Sequence, residues 1–148
     1  MKFADFQAGQ VLEIGQCTVT ESEIVEFAQR YDPQPFHMDK QAAEQSRWKG
    51  LIASGFHTCS LAMRMIVDNV LRDSESIGSP GLEFVKWSHP VRPGNRLSLR
   101  ARVLETQLSK TGRMGSVRWQ WMLLNEDAEQ VLVLIATSLF SLQSTEQS

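Results

Sequence analysis

Asp32 and His37 stand five positions apart, with Pro33 and Pro35 between them. A carboxylate beside an imidazole is a minimal kit for handling one water molecule. One group takes a proton from the water, the other supplies one, and imidazole titrates near neutral pH. The other two histidines, His57 and His89, have no carboxylate fixed beside them by so stiff a segment. Each proline pushes the residue before it, Asp32 and Gln34, out of the α region. The stretch from Tyr31 to His37 therefore reads as a stiff, irregular loop able to turn both side chains toward one cavity. On spacing alone the plainer reading is structural: Asp32 bonds loop amides and His37 is a polar loop residue.

Ser54-Gly55 is the second feature. It opens a long helical pattern, and a helix N-terminus carries free amides and a partial positive charge. Ser54 is a good N-cap and Gly55 permits close approach to its amide, so a carbonyl oxygen placed there would be polarised as in an oxyanion hole. In isolation this is only a capped helix. His37 and Asp39 could share a metal, but the sequence places no third ligand, and Asp39 is better explained as the N-cap of a short helix over Lys40 to Ser46. No metal is expected. His57 reads as a satisfied or partly exposed helix residue, His89 as structural, and Cys59 as inert core. Trp119 and Trp121 read as sheet core or dimer packing. Arg92, Lys110 and Arg113 read as solvated surface, with contact to the phosphates of a ligand the alternative.

The elements that must position these groups divide the chain in two. Val11, Ile14 and Val19 suggest a strand over Gln10 to Val19. Thr20-Glu-Ser-Glu23 fits a capping box, with Val19 and Ile24 at staple positions, before a helix from Glu21 to about Arg30. Thr58, Leu61, Ala62, Met65, Ile66, Asn69 and Val70 keep helical spacing, and Cys59 and Met63 widen the stripe, so this helix should be largely buried. From Gly81 the period becomes two. Leu97 to Val103 and Val117 to Leu123 alternate as half-buried antiparallel strands, and Leu82 to Val91 is a further strand. Val131 to Leu142 suits a central strand, Asn125 to Glu129 a hairpin loop, and Lys110-Thr-Gly112 a turn. Helices followed by strands imply an α+β fold, an antiparallel sheet wrapped on a long central helix.

Composition excludes more than it selects. A chain of 148 residues fits one domain, 1–148, with a polar tail from Gln143 to Ser148. The net charge of −2 gives no basic surface for nucleic acid or anionic lipid. Val131 to Ala136, the longest strictly apolar run, is too short to cross a bilayer. The first residues lack the apolar segment of a signal peptide. Cys17 and Cys59, the two cysteines, form no framework, so a cytoplasmic location is expected.

Taken together, the residues resemble a known family. Phe27-Ala-x-x-Tyr-Asp32-Pro-Gln-Pro-Phe-His37-Met-Asp39, then Ala42-Ala43, Trp48, Gly50 and Ile52-Ala-Ser-Gly55, is similar to the hydratase 2 motif of MaoC-like dehydratases, which include (R)-specific enoyl-CoA hydratases. Pro90-Val-Arg-Pro-Gly-Asn95 resembles that family's strand connection, and the likeness spans Phe6 to Leu142. It implies a single hotdog fold, a homodimer or a dimer of dimers or trimer of dimers, and a thioester substrate on a coenzyme A or acyl carrier arm. Coenzyme A is then part of the substrate, and no separate cofactor is expected. The resemblance places the catalytic Asp on Asp32, the catalytic His on His37 and the carbonyl-binding glycine amide on Gly55. Gln34, Ser54 and Phe36 flank these as substrate-binding residues. Gln34 stands where the family usually has Asn, and Ser54 where it commonly has His.

The chemistry fits that transfer. Hydrating a 2-enoyl thioester adds hydroxyl at C3 and a proton at C2, and negative charge gathers on the thioester oxygen, where Gly55 can meet it. Asp32 is the base toward water and His37 the proton donor, titrating as a coupled pair. A hotdog acyl-CoA thioesterase and a non-catalytic acyl-CoA-binding subunit are the alternatives. At this length the chain holds one hotdog unit, whose exposed sheet edge argues for a homodimer.

Overall fold

The computed structural model describes residues 1–142; the expected polar tail lies outside them. After a 3₁₀ turn at Phe3–Asp5, the elements run β1 (Val11–Thr18), α1 (Glu21–Tyr31), α2 (Pro35–Met38), α3 (Lys40–Gln45) and α4 (Gly55–Ile66). A π turn over Val67–Leu71 follows, then β2 (Ser76–Gly78), β3 (Leu82–Lys86), β4 (Arg96–Leu108), β5 (Met114–Leu124) and β6 (Gln130–Ser141). The sheet is antiparallel, ordered β1-β4-β5-β6, with β2 and β3 both paired to the outer edge of β6. This is the α+β hotdog arrangement.

Alternation in the sequence becomes alternation in burial. Leu97, Leu99, Ala101 and Val103 on β4, and Val117, Trp119, Trp121 and Leu123 on β5, all point into the core. They meet Ala62, Met65 and Ile66 of α4, together with Val70. β6 is interior, and its apolar run Val131 to Leu134 is buried. The helix starts are fixed by side chains. Thr20 Oγ1 accepts from the Glu23 amide at 3.2 Å, and Asp39 Oδ1 accepts from the Gln41 and Ala42 amides at 3.0 and 3.1 Å. Among the described residues, Glu23 makes no return bond to complete the capping box.

Three expectations need correction, and one short strand was not foreseen. The segment from Tyr31 to His37 is not wholly irregular: Pro35 starts the one-turn helix α2, its fixed φ serving the first helical position. The expected strand over Leu82 to Val91 stops at Lys86, because Trp87 leaves the ladder to pack on the start of α4. β2 carries no periodic signal in its three residues. α4 is buried on one side only, with Phe56 70% and Met63 40% exposed. No helix among the described residues is long and apolar enough to cross a membrane.

Candidate active site

The helix α1 ends at Tyr31, and Asp32 caps it: its amide donates to the Ala28 carbonyl at 2.8 Å while its backbone turns to φ −152°. The Gln34 amide closes back on the Asp32 carbonyl at 2.7 Å. Pro35 then launches α2, and this single turn carries His37 back toward Asp32. His37 is buried, and its Nε2 lies 3.3 Å from Asp32 Oδ2. Its Nδ1 is 2.6 Å from the Ile52 carbonyl oxygen. A carbonyl can only accept, so Nδ1 carries the proton there and Nε2 is committed to Asp32 and the cleft. In return the Ile52 amide donates to the Phe36 carbonyl at 3.2 Å, which ties α2 to the buried strand-like segment Leu51 to Ser54.

That segment delivers the chain to the N-terminus of α4. The Thr58 amide closes the first turn on the Ser54 carbonyl at 3.1 Å. Ser54 holds the N-cap position, but its side chain makes no capping bond. This corrects the expectation of a side-chain cap, and it leaves the amides of the first turn uncovered by Ser54. Gly55 has an ordinary helical backbone; what demands glycine is its neighbour. A Cβ on Gly55 would lie 2.6 Å from Trp87 Cε2. The Trp87 indole N–H also donates to the Gly55 carbonyl at 3.0 Å.

Asp32, His37, Phe36, Gly55, Trp48 and Trp87 line one open cleft of about 340 Å³. The structure thus brings together all three residues expected to do chemistry, and Phe36 with them. Gln34 serves the carboxylate itself: its amide donates to Asp32 Oδ1 at 2.7 Å. Partial desolvation pushes the Asp32 carboxyl up. The Gln34 hydrogen bond, the nearby Ser54 hydroxyl and the His37 imidazole outweigh it and hold the group below its ordinary value. The Ser54 hydroxyl is fully buried and, among the described residues, has no partner in hydrogen-bond geometry. It acts on Asp32 as a close dipole, and the formed bond is Gln34's.

The secondary candidates also have places. His57 is buried, stacked on Phe27 with ring centroids 4.8 Å apart, and its Nδ1 has no partner. Burial pushes its imidazole down, against the opposing field of Glu23. His89 stays exposed, with Nε2 3.5 Å from Glu129. Cys59 is half-buried rather than core, and burial raises its thiol. Arg92 donates to the Trp48 carbonyl at 2.6 Å, beside the cleft. Lys110 and Arg113, near the β4–β5 connection, line neither the cleft nor the larger cavity described below.

The sequence reading missed Trp87 and the Ile52 carbonyl. Nothing local marks either one: Trp87 meets Gly55 across 32 positions, and a carbonyl has no residue type.

A sheet wrapped on one helix, with an Asp–His pair facing that helix's N-terminus, defines a hotdog protein of the hydratase–dehydratase type. The MaoC-like domain model matches residues 5–120, so the chain belongs to the MaoC-like dehydratase family. A MaoC-like dehydratase from Rhodospirillum rubrum is similar at 33% identity and a TM-score of 0.87, covering 95% of this chain and 97% of that one. An R-hydratase from Pseudomonas aeruginosa shares the fold at a TM-score of 0.74 and 24% identity, covering 99% and 92%. An uncharacterised Bacillus subtilis protein is 29% identical over 107 residues, 72% of this chain and 76% of that one.

Proposed function

We propose that this protein catalyses the reversible hydration of a trans-2-enoyl-CoA thioester to a (3R)-hydroxyacyl-CoA. The observation that carries this reading is the 3.3 Å contact of Asp32 Oδ2 with His37 Nε2 in the cleft that Gly55 also lines. With Nδ1 held by the Ile52 carbonyl, a proton on Nε2 makes His37 an imidazolium facing the Asp32 carboxylate. Asp32 removes a proton from a water bound beside the pair in the cleft, and the oxygen adds to C3. His37 delivers the Nε2 proton to C2 on the same face, which gives syn addition. Asp32 is left protonated and His37 neutral, and transfer of that proton across the pair restores the resting state. The charge that gathers on the thioester oxygen meets the Gly55 amide and the positive end of α4.

The reaction needs no separate cofactor, because coenzyme A arrives with the substrate. The chain works as one catalytic domain, and a second copy completes the assembly. Among the described residues β3 pairs only with β6, and Leu82 and Phe84 on it are 51% and 46% exposed. An unpaired apolar strand edge is the feature a matching edge covers. Light scattering on an eluting peak tests the homodimer, with a monomer mass as the contrary result.

For the activity itself, purified protein is mixed with crotonyl-CoA while enoyl absorbance is followed and the product is resolved on a chiral column. Loss of absorbance with an (R) product supports the proposal. Release of free thiol would make the protein a thioesterase, and binding without turnover would make it a carrier subunit.

A further inference from the structure

The larger cavity, about 910 Å³, lies between α4 and the β2–β3–β6 side of the sheet. It adjoins the catalytic cleft, and Phe56, directly after Gly55, lines both. Tyr31, directly before Asp32, lines the cavity too. Its walls are apolar, built from Phe27, Met63, Leu71, Trp121 and Leu134, and among the described residues its lining holds serine hydroxyls but no Asp, Glu, Lys, Arg or His. The volume stands at the upper end of the roughly 300–1,000 Å³ typical of small-molecule sites. Along α4 the lining extends from Phe56 to Met63, about 10 Å of helix axis at 1.5 Å per residue. An extended chain advances on the order of 1.2 Å per bond. A run of that length accommodates about eight bonds. A crotonyl group ends well short of this.

We infer that this cavity receives the acyl chain, and that the chain is uncharged and of medium or greater length rather than a short or ω-carboxylated one. The inference rests on the hydratase reading of the adjoining cleft. An apolar chain laid along Met63 and Leu134 gains at each methylene removed from water, by roughly a factor of 4 in binding. A terminal carboxylate in the same place loses its hydration and meets no cation.

The test is a series of kcat/KM values for crotonyl-, hexenoyl-, octenoyl- and decenoyl-CoA, with an ω-carboxylated decenoyl-CoA beside them. Expected is a rise of at least about 10-fold from crotonyl to decenoyl, with the ω-carboxylated substrate falling below decenoyl by a similar factor. Met63→Trp, which adds bulk at the end of the α4 wall far from Gly55, should lower the decenoyl-to-crotonyl ratio by about 10-fold or more. A flat or falling series with crotonyl turned over, or equal use of the ω-carboxylated chain, overturns the inference. So does a Met63→Trp variant whose ratio is unmoved while its oligomer mass changes, since the cavity then belongs to the contact between copies. Titration calorimetry with butyryl-CoA and decanoyl-CoA separates the two readings. Tighter decanoyl-CoA binding by a protein that hydrates nothing sustains the cavity assignment and sinks the hydratase. Equal binding of both sinks the cavity assignment.

Discussion

Replacing Gly55 by alanine tests how the helix start is held. The added Cβ would stand 2.6, 2.9 and 2.9 Å from Trp87 Cε2, Cδ2 and Cζ2. Ordinary carbon contacts lie near 3.5–4.0 Å, so either the indole or the first turn of α4 must move by about 1 Å. Gly55 is not in the left-handed region, so no backbone strain adds to this. If the indole yields, its N–H loses the Gly55 carbonyl, a bond worth about 1 kcal/mol. Overpacking adds roughly 1–3 kcal/mol. Trp87 is 44% exposed and can swing outward, which keeps the total near 1–2 kcal/mol, or roughly 2–8 °C in Tm for a chain of this size. If the first turn yields, the Gly55 amide leaves the position proposed for the thioester oxygen, and kcat should fall about 10²–10³-fold. The assay is steady-state hydration of an enoyl-CoA beside thermal melting of Gly55→Ala, Trp87→Leu and the double variant. If Gly55→Ala loses kcat, the double variant should recover at least about 10-fold of it, and if Gly55→Ala loses only Tm, the Trp87→Leu background should cancel that loss, since leucine vacates the clashing ring atoms. A Gly55→Ala defect of the same size with and without Trp87 would refute the argument that Trp87 imposes glycine there.

Further outcomes follow from the same geometry. Asp32→Asn and His37→Ala should each lower kcat by about 10²–10⁴-fold, measured by enoyl-CoA hydration on protein shown folded by circular dichroism, and His37→Ala should also melt lower because it leaves the Ile52 carbonyl unpaired; full activity in either variant removes the pair from the chemistry. Gln34→Ala takes away the hydrogen bond that helps hold Asp32 below its ordinary value, so the acid limb of kcat/KM should move to higher pH. The sign for stability follows linkage: a depressed carboxyl contributes above its unfolded pKa, and that contribution is lost as pH falls through its folded value. The wild type should therefore hold its Tm further into acid than Gln34→Ala. Asp39→Ala removes two amide partners at the start of α3 and should cost about 1 kcal/mol by chemical denaturation, with kcat little changed.

The legible and the illegible parts of this chain differ in range. β4 and β5 were readable because the pleat turns alternation directly into burial, as Leu97, Leu99, Val117 and Trp119 show. The caps at Thr20 and Asp39 were readable because a cap is local, between a side chain and amides two or three positions on. Asp32, His37 and Gly55 came from a motif, and the structure places them in one cleft. The turn at Pro35 was misread because the two prolines restrict Asp32 and Gln34 and not the residues after Pro35, which are free to coil. The exposed side of α4 was misread for another reason. Met63 has the hydrophobicity of a core residue, and only the path of β2 and β3 leaves a cavity opposite it. Trp87 was invisible because its partner lies on a different element, and no period in the sequence links the two.

One helix therefore carries two separable tasks. The N-terminus of α4 offers amides and a dipole whose effect fades within a turn, so the proposed chemistry is confined to Gly55 and the Asp32–His37 pair that lines the same cleft. From Phe56 onward the same helix offers mainly shape and apolar surface, through Cys59 and Met63, with the Ser60 hydroxyl beside them. Side chains there can change size without touching the hydrogen bonds that fix His37 on the Ile52 carbonyl or Asp32 on Gln34. The Asp32–His37 loop in turn is bound to the Leu51 to Ser54 segment and packs on α3. Substitutions at Met63 and Gly55 should accordingly act on different quantities, the first on the ratio between acyl chains and the second on kcat for every chain alike. Combining Met63→Trp with Gly55→Ala should give multiplied, independent effects, as expected for sites without shared partners.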